Sequence, residues 1–176
     1  PNPQSLKFVA NFMLLPDGVS YDFPDMEAAE KSPLATELFG FPYVDRVFFM
    51  GNFVTITKKS DVIWEEIQNP LKEAIKAYLE SGKALLNEEP VQELYDESDS
   101  EIVKKIKGIL DEYIRPAVEM DGGAIAFHSY EAGKVKVLLQ GSCSGCPSST
   151  VTLKAGIENL LKRMLPEIQT VEAEGA

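Results

Sequence analysis

The chain has little cysteine and little histidine. Its 176 residues include two cysteines, Cys143 and Cys146, and one histidine, His128. Two cysteines are too few for the disulfide framework of a small secreted domain, which favours a reducing, intracellular compartment. A single histidine also makes a Ser/His/Asp catalytic triad a poor hypothesis.

Targeting and membrane signals are scarce as well. No apolar run approaches the length of a membrane span, and the first residues lack the basic and apolar regions of a secretory signal. Because Pro1 is compatible with removal of an initiator Met, we expect a bacterial cytoplasmic protein, with the mitochondrial matrix as the alternative.

Positive charge is in short supply. Against 28 acidic residues there are 17 Lys and Arg, a formal net charge of −11. Seven of the acidic residues lie in residues 87–101, which contain no basic residue and are typical of a solvated connector. No basic stripe is interleaved with aromatics, so nucleic acid and anionic membranes are poor partners. A phosphate-binding G-x-x-x-x-G-K-[ST] loop is also missing, which argues against ATP-driven chemistry.

The pattern of apolar, turn and cap residues predicts two small domains of α/β (α+β type) fold, residues 1–86 and 99–176. An acidic linker, residues 87–98, joins them. In the first domain, alternating apolar residues from Leu6 to Leu14 predict a long strand. Its other elements are predicted from turn and cap signals: a strand after Asp17–Gly18, a helix from Ser32–Pro33 to Gly40, a hairpin about Gly51–Asn52, and two helices, one capped by Asp61 and one after Pro70.

The first domain is rich in aromatic residues but shows no chemistry. We expect Trp64, Phe48, Phe49 and Phe53 to pack in its core rather than to form a docking patch, with the turn at Gly51–Asn52 as the more exposed candidate. By elimination, this domain is predicted to recognise target proteins or other assembly factors.

The second domain shows the order α-β-β-α-β. Ser98 and Glu101 have the spacing of a capping box, Asp121-Gly122-Gly123 is a turn signal, and the last helix is predicted over 147–164. This order indicates helices on one face of a three-stranded mixed sheet, with an edge strand at the C-terminus.

Both cysteines lie in the loop "GSCSGCPSS", between a predicted strand and a predicted helix. Because its neighbours are small, we expect both sulfurs to face outward. Pro147 suits the first helical position, which would make Cys146 the N-cap. A thiolate there would meet backbone N–H groups and the positive end of the helix dipole, which lower a thiol pKa.

The C-x-x-C spacing alone leaves three uses open. A thioredoxin-type couple should lie early in a βαβ pattern, whereas this motif lies late in a small domain. A closed zinc site needs four protein ligands, and His128 is better explained as a strand residue than as a ligand. An iron–sulfur cluster usually takes four thiolates. A second copy of the chain is the simplest source of the missing two, and a cluster held between subunits is easy to give away.

Several segments resemble a known family. "RPAVEMDGG", "VLLQGSCSGCPSSTVTLKAGIENLL" and "LPEI" are similar to the C-terminal domain of the NifU-like (Nfu) iron–sulfur cluster scaffold proteins, and "SPLATELF" and "VDRVFFMGNFVTITK" resemble their N-terminal domain. The resemblance implies a homodimer that holds a [4Fe-4S] cluster through Cys143 and Cys146 of each subunit. It also implies a carrier that is not an enzyme, that receives clusters from upstream assembly proteins and that passes them to apo iron–sulfur proteins. Binding of a [2Fe-2S] cluster is left open.

The family's upstream motif matches Arg115, Pro116 and the Asp121-Gly122-Gly123 turn, which we interpret chiefly as structural. Asp121 is predicted to cap the turn, and its direct role in cluster release is the weaker hypothesis. Ala124 stands where many relatives carry an acidic residue, so a carboxylate role there is not expected. The rival function is a thiol–disulfide oxidoreductase that uses Cys143 and Cys146 as a dithiol pair.

Overall fold

The computed structural model describes residues 2–88, 98–144 and 147–175. The chain forms two compact units, one containing residues 3–88 and the other containing 98–144 and 147–175. Most of the predicted linker, 87–98, falls outside the described residues, so the domain bounds stay a prediction. Among the described helices, none combines the length and apolar character needed to cross a membrane.

The first unit is a four-stranded antiparallel sheet with helices on one face. Its elements are β1 (Ser5–Val9), β2 (Ser20–Phe23), α1 (Met26–Ala29), α2 (Pro33–Phe39), β3 (Val44–Met50), β4 (Phe53–Lys58) and α3 (Trp64–Glu80). The strand order is β1-β4-β3-β2. Val47 and Phe49 lie on the same face of β3 and pack in one core with Leu34 of α2 and Leu71 of α3.

The first strand is shorter than its alternating pattern predicts. β1 ends at Val9, and Phe12 is half exposed instead of continuing the apolar face. The chain turns around the β3–β4 hairpin, because the Gly51 carbonyl accepts hydrogen bonds from the N–H groups of Leu14 and Leu15. These bonds leave Gly51 and Asn52 half-buried, so the turn is more exposed than the buried Phe48, Phe49 and Phe53, as expected.

The helix predictions of this unit are partly correct. Ser32 caps α2 as expected, accepting a hydrogen bond from the Ala35 N–H at 3.1 Å. The two helices predicted around Pro70 are a single helix, α3, which begins at Trp64 without a side-chain cap from Asp61. A proline in a helix interior removes one backbone hydrogen bond. Here the buried stripe along α3 keeps the helix continuous: Ile67, Leu71, Ile75 and Tyr78.

Three of the four aromatic residues predicted to pack in the core of this unit do so. Phe48, Phe49 and Phe53 are all buried. Trp64 is half-buried at the start of α3, where its indole N–H donates to the Pro3 carbonyl at 3.0 Å.

The second unit has the predicted mixed sheet. Its elements are α4 (Glu101–Ile109), a π-helical turn (Leu110–Ile114), α5 (Arg115–Met120), β5 (Gly123–Glu131), β6 (Lys134–Gly141), α6 (Pro147–Met164) and β7 (Thr170–Gly175). β6 lies centrally, antiparallel to β5 and parallel to β7. The α+β fold class and the three-stranded mixed sheet are therefore confirmed.

The first helix of this unit differs from its prediction in two details. Its N-cap is Ser100, not Ser98, and the Ser100 hydroxyl accepts from the Val103 N–H. The π-helical turn was not foreseen: the Arg115 N–H donates to Leu110, five residues back. Pro116 lacks an N–H and its ring would collide with the carbonyl four residues earlier, so the wider turn lets the helix continue into α5.

Candidate functional site

Cys143 lies in a tight turn that follows β6 directly. Gly141, the last residue of β6, has φ +61°, a left-handed conformation that favours glycine. The Cys143 N–H donates to the Gln140 carbonyl at 3.3 Å, and the Ser144 N–H donates to the Gly141 carbonyl at 3.1 Å. The backbone of the first cysteine is thus fixed by local hydrogen bonds.

A second set of hydrogen bonds attaches this turn to the one between α5 and β5. The Ser142 hydroxyl donates to the Asp121 carbonyl at 2.6 Å, and the Ser142 N–H donates to the Gly122 carbonyl at 3.3 Å. Ser142 is buried and Asp121 is exposed, so the hydroxyl bond is partly shielded from water. Two separate stretches of chain, the cysteine loop and the Asp-Gly-Gly turn, therefore meet at one serine.

Gly123 makes room for the thiol itself. A Cβ placed on Gly123 would lie 2.5 Å from Cys143 Sγ and 2.8 Å from the Gln140 carbonyl oxygen. Both contacts are far below van der Waals distance. In the same turn, Gly122 has φ +84°. The two glycines therefore have different structural roles. Gly122 allows the turn, as predicted, and Gly123 allows the close approach of Cys143.

The Cys143 side chain is buried, which overturns the expectation that it faces outward. Its exposed fraction is 7%, and it packs in a small core with Val118 of α5 and Leu139 of β6. The small polar neighbours that suggested exposure, Ser142 and Ser144, are themselves buried. Cys146 lies outside the described residues, so its predicted place as helix cap stays a prediction.

The rest of the upstream motif is structural in this arrangement. Arg115 forms an ion pair with Glu119 one turn further along α5. Asp121 is exposed, and its backbone carbonyl, not its carboxylate, accepts the Ser142 bond. Ala124 is buried at the start of β5.

His128 is an exposed residue of β5, and its Nδ1 lies 3.2 Å from Ser129 Oγ. This agrees with its interpretation as a strand residue. Within residues 2–88, 98–144 and 147–175, no group of three or more His, Cys, Asp and Glu side chains is placed to hold a metal ion.

Sequence reasoning missed three residues that define the surroundings of Cys143. Val118 and Leu139 form its apolar wall, and Ser142 ties its loop to Asp121. Leu139 was recognisable as an inward position of an alternating strand. Ser142 gave no such signal, because a serine beside a cysteine is equally typical of an exposed loop.

Taken together, the described geometry sets one thiol at a fixed position between two turns. Thiolates are the preferred ligands of iron–sulfur clusters and of zinc, and they are also the nucleophiles of disulfide exchange. The protein is therefore a two-domain α+β protein with a candidate thiolate site in its second domain.

Comparison with known families assigns both domains. Residues 1–82 match the model described as "Scaffold protein Nfu/NifU N terminal", and residues 106–172 match the NifU-like domain. The two models together match more than four fifths of the 176 residues. The chain belongs to the NifU-like (Nfu) scaffold protein family, as its sequence motifs indicated.

Similar proteins are named as iron–sulfur cluster scaffolds. The chain is 45% identical over 174 residues to the "NFU1 iron-sulfur cluster scaffold homolog, mitochondrial" of Drosophila sechellia, covering 98% of this chain and 62% of that protein. It is 46% identical over 175 residues to the protein of the same name from Drosophila persimilis, again covering 98% and 62%. The chain thus spans about three fifths of the length of these relatives.

Among solved structures, the solution NMR structure of a NifU-like protein from Saccharomyces cerevisiae is similar to this chain. The match covers 51% of this chain and 80% of the yeast chain. The TM-score is 0.45 and the sequence identity 23%.

Proposed function

We propose that this protein is an iron–sulfur cluster carrier that holds a [4Fe-4S] cluster between two subunits and passes it to apo-proteins. The observation that carries the proposal is the C-x-x-C loop of a NifU-like domain, whose first cysteine is fixed by Ser142 and Gly123 against the Asp-Gly-Gly turn. Relatives that are 45–46% identical are named as iron–sulfur cluster scaffolds.

The number of ligands supports the dimer. One chain has two cysteines, and an iron–sulfur cluster is usually held by four thiolates. Cys143 and Cys146 of each of two chains would supply all four, with a two-fold axis passing through the cluster. The cluster is cargo in this scheme, so its coordination must also be easy to undo.

Transfer then follows from ligand exchange. An acceptor that offers its own cysteines replaces the carrier's thiolates one at a time, so each iron–sulfur bond that breaks is replaced by another. Each thiol of the acceptor gives up a proton as it binds iron, and each thiolate of the carrier takes one up as it leaves. The exchange is balanced without an oxidant or a reductant, and the carrier needs no catalytic group of its own.

The remaining parts of the proposal concern partners and place. The N-terminal unit is proposed to recognise acceptors or upstream assembly proteins. The Drosophila relatives are named mitochondrial, which favours the mitochondrial matrix over the bacterial cytoplasm expected from the sequence.

The test is anaerobic reconstitution with iron and sulfide. We expect absorption from thiolate-to-iron charge transfer, about two irons per chain for one [4Fe-4S] cluster per dimer, and a doubling of the mass in solution. Half that iron content at the same mass would instead assign a [2Fe-2S] cluster. A monomer without iron that reduces disulfides rapidly would overturn the proposal in favour of the oxidoreductase.

A further inference from the structure

The second unit exposes few large apolar side chains among its described residues, and two of them border the cysteine loop. Met120 is 76% exposed and Val151 is 69% exposed. The other two, Tyr113 and Met164, are 48% and 43% exposed. Single exposed apolar residues are common on protein surfaces, so their position relative to the loop is what matters.

Met120 lies beside the turn that holds the loop. It is the last residue of α5, and the next residue, Asp121, accepts the Ser142 hydrogen bond at 2.6 Å. Two residues earlier, Val118 packs against Cys143. Two residues along a helix correspond to a rotation of about 200°, so Met120 points away from the core that Val118 and Cys143 share.

Val151 lies near the other end of the loop, where the chain enters α6. It lies four residues after Pro147, where α6 begins, and so about 6 Å along the helix axis. Leu153, two residues later, packs against the same core of Val118, Leu139 and Cys143. Val151 is therefore turned outward at the start of α6, as Met120 is at the end of α5.

We propose that Met120 and Val151 form the surface on which a second copy of this chain docks when the cluster is bound. The inference rests on the proposed function, because a site with two thiols per chain is incomplete without its partner. Two helix ends that border the loop must approach their counterparts whenever two such loops share one cluster. Contact between identical patches is the expected form of a two-fold interface.

The size of this surface also explains why the dimer would depend on its cargo. A stable interface buries roughly 800 Å² per partner, far more than two side chains provide. The apolar contact would orient the two loops and exclude water from the thiolates, while the metal–thiolate bonds would hold the subunits together. Loss of the cluster to an acceptor would then release two monomers.

The test places negative charge on this surface in both subunits. The full chain with Met120→Glu and Val151→Glu is compared with the wild type after anaerobic reconstitution, by sedimentation equilibrium and iron content. We expect dimer dissociation to become at least about tenfold easier and iron per chain to fall, because like charges would be forced together in a desolvated contact. The thermal unfolding midpoint of the metal-free protein should be unchanged, since both side chains are exposed.

Two further variants make the result specific. The control, Tyr113→Glu with Met164→Glu, adds the same charge to the π-helical turn before α5 and to the far end of α6; Met164 lies about 26 Å along α6 from its start. It should dimerise and bind iron like the wild type. A chain with Met120→Lys and Val151→Lys should restore the dimer when it is mixed with the Glu variant, which a folding defect would not allow.

The outcomes separate the two proposals. A wild-type chain that binds no iron and stays monomeric overturns both. A Glu variant that dimerises around iron as well as the wild type overturns the docking surface alone. A Glu variant that keeps its dimer but transfers iron more slowly to an apo-acceptor also overturns it, because the surface would then serve the acceptor.

Discussion

Gly123 and Cys143 are in contact so close that no side chain fits between them: a Cβ on Gly123 would lie 2.5 Å from Cys143 Sγ. The two residues are 20 positions apart in the chain, at the start of β5 and just after β6, and the pairing of Gly123 with Gly141 brings them together. The Asp-Gly-Gly turn is thus part of the cysteine site through packing rather than through its carboxylate.

Gly123→Ala is expected to displace the cysteine turn. The added methyl group would overlap both Sγ and the Gln140 carbonyl oxygen at 2.8 Å, and the backbone oxygen cannot move aside as a flexible side chain would. Overpacking of this kind costs about 1–3 kcal/mol. We expect a lower free energy of unfolding in urea and faster reaction of the Cys143 thiol with a thiol reagent, measured on the metal-free protein in the Cys146→Ser background.

The matched control is Gly156→Ala in the interior of α6. A Cβ there would meet no atom within 4 Å, and alanine is favoured over glycine in helices by about 1 kcal/mol. This variant should be as stable as the wild type or more so, with unchanged thiol reactivity. If Gly123→Ala behaved in the same way, the close approach would have no energetic consequence.

The fold was largely predictable because its elements carry local signals. A few neighbouring residues were enough to predict the cap at Ser32, the turn at Gly51 and the apolar alternation of β6. The errors arose where contacts between distant parts of the chain determine the bounds of an element. Hydrogen bonds to Gly51 end β1 at Val9. The buried stripe of α3 keeps that helix continuous through Pro70.

The sequence predicted the chemistry of the candidate site but not the packing around it. Two cysteines at C-x-x-C spacing, between a predicted strand and a predicted helix, were the basis for expecting a thiolate site. The burial of Cys143 depends on Val118 and Gly123, which reach it from elsewhere in the chain. Small polar neighbours are typical of exposed loops, and here they are buried because Ser142 finds a backbone partner across the turn.

Ser142→Ala tests that bond. Loss of the hydroxyl leaves the part-buried Asp121–Ser142 contact without its donor and should lower stability by about 1 kcal/mol. Because the bond joins the cysteine loop to the Asp-Gly-Gly turn, the variant should also show faster reaction of the Cys143 thiol, again in the Cys146→Ser background.

Ser81→Ala provides the comparison, since the Ser81 hydroxyl donates to the Tyr78 carbonyl at 2.6 Å in the first unit. It removes a bond of the same kind and length but should leave thiol reactivity unchanged. Equal thiol reactivity in the Ser142 variant and the wild type would show that Ser142 does not position the loop.

Glu158 links α6 to β7 and should make the second unit sensitive to acid. Its carboxylate accepts hydrogen bonds from Lys162 Nζ at 2.7 Å and from the Val171 N–H at 3.0 Å. These bonds, the one from Lys162 foremost, hold the pKa of Glu158 below its ordinary value of 4.5. A lowered pKa stabilises the folded state fully above pH 4.5, and this stabilisation is lost as the pH falls through the folded pKa.

Glu158→Gln should therefore reduce stability at pH 7 and have a progressively smaller effect as the pH falls below 4.5, measured by urea unfolding across this range. Glu167→Gln removes the same charge from an exposed position just before β7 and should not show this dependence. A stability difference between the Glu158 variant and the wild type that stayed constant down to acid pH would rule out the ionised carboxylate as its source.

Replacement of either cysteine tests the shared cluster most directly. Cys143→Ser or Cys146→Ser removes one thiolate from each chain and so two of the four that a dimer would supply. We expect each single variant to lose stable iron binding and the iron-dependent doubling of mass, measured together after anaerobic reconstitution. His128→Ala serves as the control, because His128 is an exposed strand residue, and it should bind iron like the wild type. Full iron content in a single cysteine variant would mean that other ligands complete the site, and loss of iron in the His128 variant would identify the first of them.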